Sequence, residues 1–146
     1  PPPRPLEMES TGFGVLICYE SMVSHLARDL VRQGAGFLVI PTNDAWFDRS
    51  SAAAHHFDMA IMRAVETGRP TIQAGNTGIS GFVTATGQVL AESRLFEQRV
   101  LVARLAPVSE ATLYTRLGDL LAWVCLAGTA LGLVRKGLGR EATLAA

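Results

Sequence analysis

"GVLICYESM" occupies residues 14–22, where an apolar run enters a cysteine directly and a tyrosine and a glutamate follow at once. Uninterrupted apolarity over a few residues marks a short strand buried on both faces, and Phe13 to Ile17 reads as one. Beyond the cysteine the period changes. Met22, Val23, Leu26, Leu30 and Val31 recur at helical spacing, with Ser21 a candidate N-cap and Gly34 a stop. "GFLVI", 36–40, is a second buried strand. Strand, helix, strand in this order predicts an α/β fold in which helices cover the sheet.

Further along, the loop "PTNDAWFDRSS", 41–51, leads into a helix expected from about Ala52 to Thr67. Phe57, Ala60, Ile61 and Ala64 form its apolar face, and Gly68 with Pro70 ends it. "TIQAG", "ISGFVT" and "QVLAE" follow as strands joined by the Gly-containing turns "NTG" and "ATG", which reads as hairpins. A last strand is expected over Val100–Leu105. Residues 1–12 are a proline-rich start without the apolar core of a secretory signal.

The chain has 146 residues, with 13 basic against 13 acidic side chains. A balanced charge gives no basic face for nucleic acid. Apolar residues make up 49% and the mean hydropathy is +0.26, much of it concentrated near the C-terminus. Residues 117–134 are 18 positions with Asp119 the single charge, about 27 Å of helix against a hydrocarbon core of about 30 Å. Arg135, Lys136 and Arg140 come next, so the positive-inside bias places the C-terminus in the cytoplasm. The competing reading is a buried C-terminal helix in a soluble oligomer. Cys125 lies inside the apolar run and Cys18 far from it in sequence, which argues against a disulfide, and neither is spaced for metal. No cofactor is called for.

A cysteine at a strand end, just before a helix, is placed as nucleophiles often are: the turn exposes the side chain and the first helical amides favour a thiolate. A glutamate two residues on can orient an amine or move a proton. An inert buried thiol is the commoner case for such a residue alone. His25, His55 and His56 lack ligand spacing, since neighbours on a helix point in different directions. "GISGF" lacks the closing glycine of a nucleophile elbow, and "GAG" at 34–36 is too short for a dinucleotide loop. Arg63 and Glu66 read as an ion pair, Asn76-Thr77-Gly78 as a turn, and Trp46 on its own as packing.

Taken in order, "LICYE", "PTNDAWF", "HHFDMAIMRAVETGRP", "NTGIS" and "LYTRLGD" ahead of an apolar helix resemble one family over about residues 13–135. The chain resembles the C-terminal part of the apolipoprotein N-acyltransferases, the membrane-anchored members of the nitrilase-like carbon–nitrogen hydrolases. The resemblance implies part of an α-β-β-α sandwich at 13–106, a connector at 107–116, a transmembrane helix at 117–134 and a basic cytoplasmic tail at 135–146. It implies an enzyme of the bacterial inner membrane with its catalytic domain on the periplasmic side. Such an enzyme takes a fatty acyl chain from a phospholipid onto a cysteine as a thioester. It then passes the chain to the N-terminal diacylglyceryl-cysteine of an apolipoprotein. By this match Cys18 is the nucleophile, Glu20 the second glutamate of the site, Tyr19 the carrier of an oxyanion-binding amide, and Trp46 a residue lining the substrate site. The family's general-base Glu and its Lys precede the cysteine, whereas no lysine lies before Cys18 here. The chain is therefore expected to be a tail of a longer one, inactive alone. Two departures stand out: Asp48 where the family usually has Gly, and "IQAGN" where it usually has a basic residue before the Asn. A soluble thiol amidase of the same superfamily and a non-catalytic truncated remnant are the alternatives.

Overall fold

The computed structural model describes residues 3–8 and 11–144, with side chains up to residue 133. It divides into two compact units, Pro1–Arg116 and Leu117–Ala146. The first is built on a six-stranded sheet in sequential order: β1 (Leu6–Met8), β2 (Thr11–Val15), β3 (Ala35–Thr42), β4 (Thr71–Gly75), β5 (Gly81–Val83) and β6 (Val89–Glu92). β2, β3 and β4 are parallel, and the other neighbours pair antiparallel. α1 (Ser24–Arg32) connects β2 to β3, and α2 (Ser51–Thr67) connects β3 to β4. Successive crossovers of one hand in one direction put both helices on one face of the sheet.

That face holds the core. Leu16, Leu38, Ile40 and Val83 from the strand side meet Ala27, Leu30 and Val31 of α1 and Phe57, Ala60 and Ala64 of α2, all buried. Gly14 is small because α1 approaches β2 so closely: a β-carbon there would stand 2.9 Å from Leu38 Cδ2 and 3.0 Å from Leu30 Cβ. α2 forms as expected. Ser50 caps it, its Oγ accepting from Ala52 N at 3.3 Å, and Gly68 closes it in the left-handed conformation at φ 64°. The opposite sheet face carries Phe13, Phe37, Ile72 and Phe82, all half-buried, with the Phe13 and Phe37 rings stacked at 5.5 Å. Two layers of the expected sandwich, one of helices and one of strands, are thus present.

Four expectations need correction. The proline-rich start contains β1, whose backbone pairs antiparallel with β2. Ser21 does not cap α1: Val23 occupies that position, and Ser21 is fully buried in a 3-10 turn over Cys18–Met22. Val100–Leu105 forms no strand. Val100 and Val102 are exposed, and among the described residues no strand pairs with this segment. Instead Ala103, Leu105 and Pro107 lie over Phe37, Ile72 and Phe82 and line a cavity of about 310 Å³. Finally, the C-terminal apolar run does not begin a helix at 117. α3 (Leu113–Leu117) ends at Gly118, φ 60°, and α4 (Leu120–Leu144) starts beyond it.

Every described side chain of α4, 120–133, is uncharged and exposed. Among the described residues no helix is long and apolar enough to cross a membrane. The side chains of the expected basic tail at 135–146 lie outside the described ones.

Sequence inspection gave no hint of what fastens the segment after the last hairpin. Arg69, 3% exposed, donates to the carbonyls of Ala35, Gly68, Ser109 and Glu110 at 2.6–3.2 Å and to that of Thr67 at 3.4 Å. It holds residues 107–112 against the start of β3, where Val108 N also donates to Gly36 O. Burial pushes its guanidinium below the usual arginine range, and Glu110 acts in the opposite sense.

Candidate active site

Parallel strands end together, and the loops beyond their C-terminal ends are where α/β sheets place their sites. Here β2 leads to Cys18, β3 to the 3-10 turn Asp44–Phe47, and β4 to the Asn76-Thr77-Gly78 turn. A cleft of about 840 Å³ lies at the other end of these strands, lined by Thr11, Gly36, Arg32 and Arg116 among others, and has no part in this site.

Cys18 is half-buried and free. Its backbone sits at φ 50°, a left-handed conformation that costs a residue with a β-carbon about 1–2 kcal/mol. Such a turn swings the side chain out of the line of the strand. Tyr19 and Glu20 follow on the exposed surface. The first hydrogen bond of the turn runs from Glu20 N to Ile17 O at 3.1 Å, so the Tyr19 amide precedes it. Glu20 Oε2 accepts from Ile17 N at 2.8 Å, the acidic half of a capping arrangement. That carboxylate therefore already fastens the turn carrying Cys18.

Trp46 lies on the neighbouring 3-10 turn and is 88% exposed. Packing is thus excluded as its role within the described residues. Together with Ile17 and Tyr19 it puts apolar surface in water at the C-terminal ends of β2 and β3, a placement that suits a ligand. Asp48, just after this turn, adopts φ 47° and ψ −135°, a region that glycine occupies readily and aspartate does not. Arg49 stacks over the Phe96 ring at 4.9 Å.

The residues that sequence reading passed over sit directly beneath Cys18. Of the adjacent histidines, His55 is exposed, 3.6 Å from Asp58, whereas His56 is 2% exposed. Its Nδ1 meets Asp44 Oδ1 at 2.8 Å; its Nε2 lies 2.9 Å from Ser21 Oγ and 3.1 Å from the carbonyl oxygen of Cys18. Ser21 Oγ donates to that same carbonyl at 2.9 Å, and Thr42 Oγ1 donates to Asp44 Oδ1 at 2.7 Å. Asp44 is 1% exposed. Its Oδ2 has no hydrogen-bond partner among the described residues and occupies the place where a β-carbon on Gly78 would be. The turns Cys18–Met22 and Asp44–Phe47 and α2 are thus joined through one buried imidazole. A signal did exist: Ala53, His56, Phe57, Ala60, Arg63, Ala64 and Thr67 share the buried face of α2, so His56 stands among apolar positions. Arg63 shares that face and pairs with Glu66 at 2.9 Å, an internal pair and not a surface one.

Comparison with known proteins agrees with this architecture. The sequence profile of the carbon–nitrogen hydrolase family matches residues 3–113. Two relatives named apolipoprotein N-acyltransferase, from Geobacter metallireducens and Haemophilus influenzae, are 41% and 42% identical over 117 and 108 residues. These alignments cover 80% and 74% of this chain but 22% and 21% of the relatives. The chain therefore spans about a fifth of the curated relatives it matches. Among solved structures, the carbon–nitrogen hydrolase of Helicobacter pylori G27 superposes with TM-score 0.58 at 19% identity, over 65% of this chain and 40% of that one. An amidase from Nesterenkonia sp. superposes with TM-score 0.55 at 26% identity, over 65% and 38%.

Proposed function

The chain belongs to the carbon–nitrogen hydrolase family, and from that membership we propose that it carries the nucleophilic part of a phospholipid-dependent N-acyltransferase. Cys18 attacks an acyl ester of a membrane phospholipid, forming a thioester and releasing the lysophospholipid. The α-amino group of an apolipoprotein's diacylglyceryl-cysteine then attacks the thioester carbonyl, forming the amide and freeing the thiol. Thiolates suit this division of one acyl transfer into two easier steps. The Tyr19 amide stabilises the tetrahedral oxyanion of each step. Glu20 holds the turn and lies beside the nucleophile in sequence, and Trp46 receives the lipid substrate.

The observation that carries this reading is the exposed turn at Cys18, held in a left-handed backbone at the C-terminal edge of the parallel strands. The higher identity to the named acyltransferases than to the amidase supports a lipid substrate over a soluble amide. So does the uncharged, exposed surface of α4 over 120–133, which we assign to contact with the bilayer, with the basic tail that follows on the cytoplasmic side. No lysine stands before Cys18 in this sequence, and none of its residues is assigned the family's lysine role. The test uses the full-length polypeptide that carries this sequence, a phospholipid in micelles and a diacylglyceryl-cysteine peptide. Wild-type protein N-acylates the peptide and Cys18→Ala does not. Acylation that persists in Cys18→Ala overturns the reading; release of the acyl group to water with none on the peptide supports the hydrolase alternative.

A further inference from the structure

We propose that His56, anchored by Asp44, is a positioning residue that aims the oxyanion-binding amide of Tyr19 by clamping the carbonyl of Cys18. The inference rests on the reading of Cys18 as an acyl-accepting nucleophile. The carbonyl oxygen of Cys18 is engaged from the buried side by two groups, Ser21 Oγ at 2.9 Å and His56 Nε2 at 3.1 Å. That carbonyl and the N–H of Tyr19 belong to one planar peptide unit, and none of the peptide bonds among the described residues is cis. In a trans peptide the C=O and N–H vectors point in opposite directions. Fixing the oxygen toward His56 therefore turns the Tyr19 N–H away from the buried relay.

Three features separate this arrangement from an ordinary buried histidine. A left-handed residue other than glycine persists only where its surroundings over-determine it, and Ser21 and His56 supply that restraint at Cys18. Burying both a histidine and an aspartate carries a desolvation cost that their mutual hydrogen bond only partly offsets. Asp44 is itself fixed, by Thr42 and by the close approach of Gly78, so the imidazole it holds cannot drift. Geometry at the reacting centre is what such fixation changes most, and a misplacement of about 1 Å can lower a rate by about a hundredfold.

The test compares two reactions of Cys18 in the full-length protein, read by mass spectrometry of the peptide containing it. Acylation by p-nitrophenyl acetate passes through a tetrahedral oxyanion, whereas alkylation by iodoacetamide is a displacement at saturated carbon that needs no oxyanion donor. His56→Ala is expected to slow acylation about 10- to 100-fold while alkylation stays within about threefold. In lipid-dependent turnover kcat falls with it and KM stays within about twofold. His56→Gln, whose amide can again donate to the Cys18 carbonyl, recovers most of the acylation rate. Should His56→Ala fail to fold, Ser21→Ala carries the same comparison, with a smaller but selective loss of acylation. Equal loss in both reactions, loss in neither, or a Gln variant no better than Ala overturns the clamp. A wild-type protein that p-nitrophenyl acetate acylates at Cys18 but that transfers nothing from phospholipid would sink the proposed function and leave the clamp standing.

Discussion

Gly78→Ala isolates the packing beneath the nucleophile. A β-carbon on residue 78 would stand 2.7 Å from both Cβ and Cγ of Asp44, with Oδ2 nearer still. Non-bonded carbons settle at about 3.5–4.0 Å, so roughly 1 Å of overlap must be relieved. Asp44 cannot swing aside freely, because its Oδ1 is held by Thr42 at 2.7 Å and by His56 at 2.8 Å. Overpacking of this kind costs about 1–3 kcal/mol, and a buried polar group pushed off its hydrogen bond about 1–3 kcal/mol more. The carboxylate has to yield, and a total near 3–4 kcal/mol is expected, a fall of roughly 10 °C in unfolding midpoint for a chain of this size. Denaturant unfolding of wild type, Gly78→Ala, Asp44→Gly and the double variant forms a cycle. Gly78 is not among the residues with positive φ, so the alanine meets no left-handed penalty once Asp44 is gone. In the Asp44→Gly background Gly78→Ala should cost less than about 1 kcal/mol, a coupling of about 3 kcal/mol. Equal costs in the two backgrounds would refute the reasoning.

Other substitutions probe other parts of the structure. Asp48→Gly relieves a conformation at φ 47° and is expected to raise stability by about 1 kcal/mol in thermal unfolding. Arg69→Ala leaves five carbonyls without their shared donor. It should cost about 3–5 kcal/mol and open residues 107–112 to proteolysis, and Arg69→Lys should restore only part of this. Trp46→Ala, at a side chain 88% exposed, should leave stability within about 0.5 kcal/mol yet raise KM for phospholipid roughly tenfold, about 1.4 kcal/mol of lost binding.

The order β2, α1, β3, α2, β4 was legible because buried parallel strands and amphipathic helices write different periods, and "GVLI" and "GFLVI" are unbroken where a half-exposed strand would alternate. The placement of Cys18 in a turn just beyond a strand was legible for the same reason, since the apolar run ends at it. Asp48 was flagged by the resemblance, as standing where that family usually has Gly, and it adopts a backbone in which glycine would be at ease. What escaped was long-range. Ser21, Asp44 and His56 are separated by 23 and 12 positions and meet only once α2 lies on the sheet; each alone has an ordinary local reading as a cap, a loop acid and a surface histidine. Arg69 drew no reading because its five acceptors are backbone carbonyls, which carry no residue signature. Val100–Leu105 misled because a short apolar, β-branched run does not report whether a partner strand exists to accept its hydrogen bonds. β1 was hidden by flanking prolines, which edge strands tolerate.

The attacking role of one sulfur is tested most directly by catching the covalent intermediate. Full-length protein is mixed with phospholipid, without acceptor peptide, quenched in acid and digested for mass spectrometry. The account predicts one fatty acyl mass on the peptide containing Cys18, removed by neutral hydroxylamine and absent from the Cys18→Ala protein. An acyl group found on another residue, or none at all in a preparation that still acylates peptide, would contradict it.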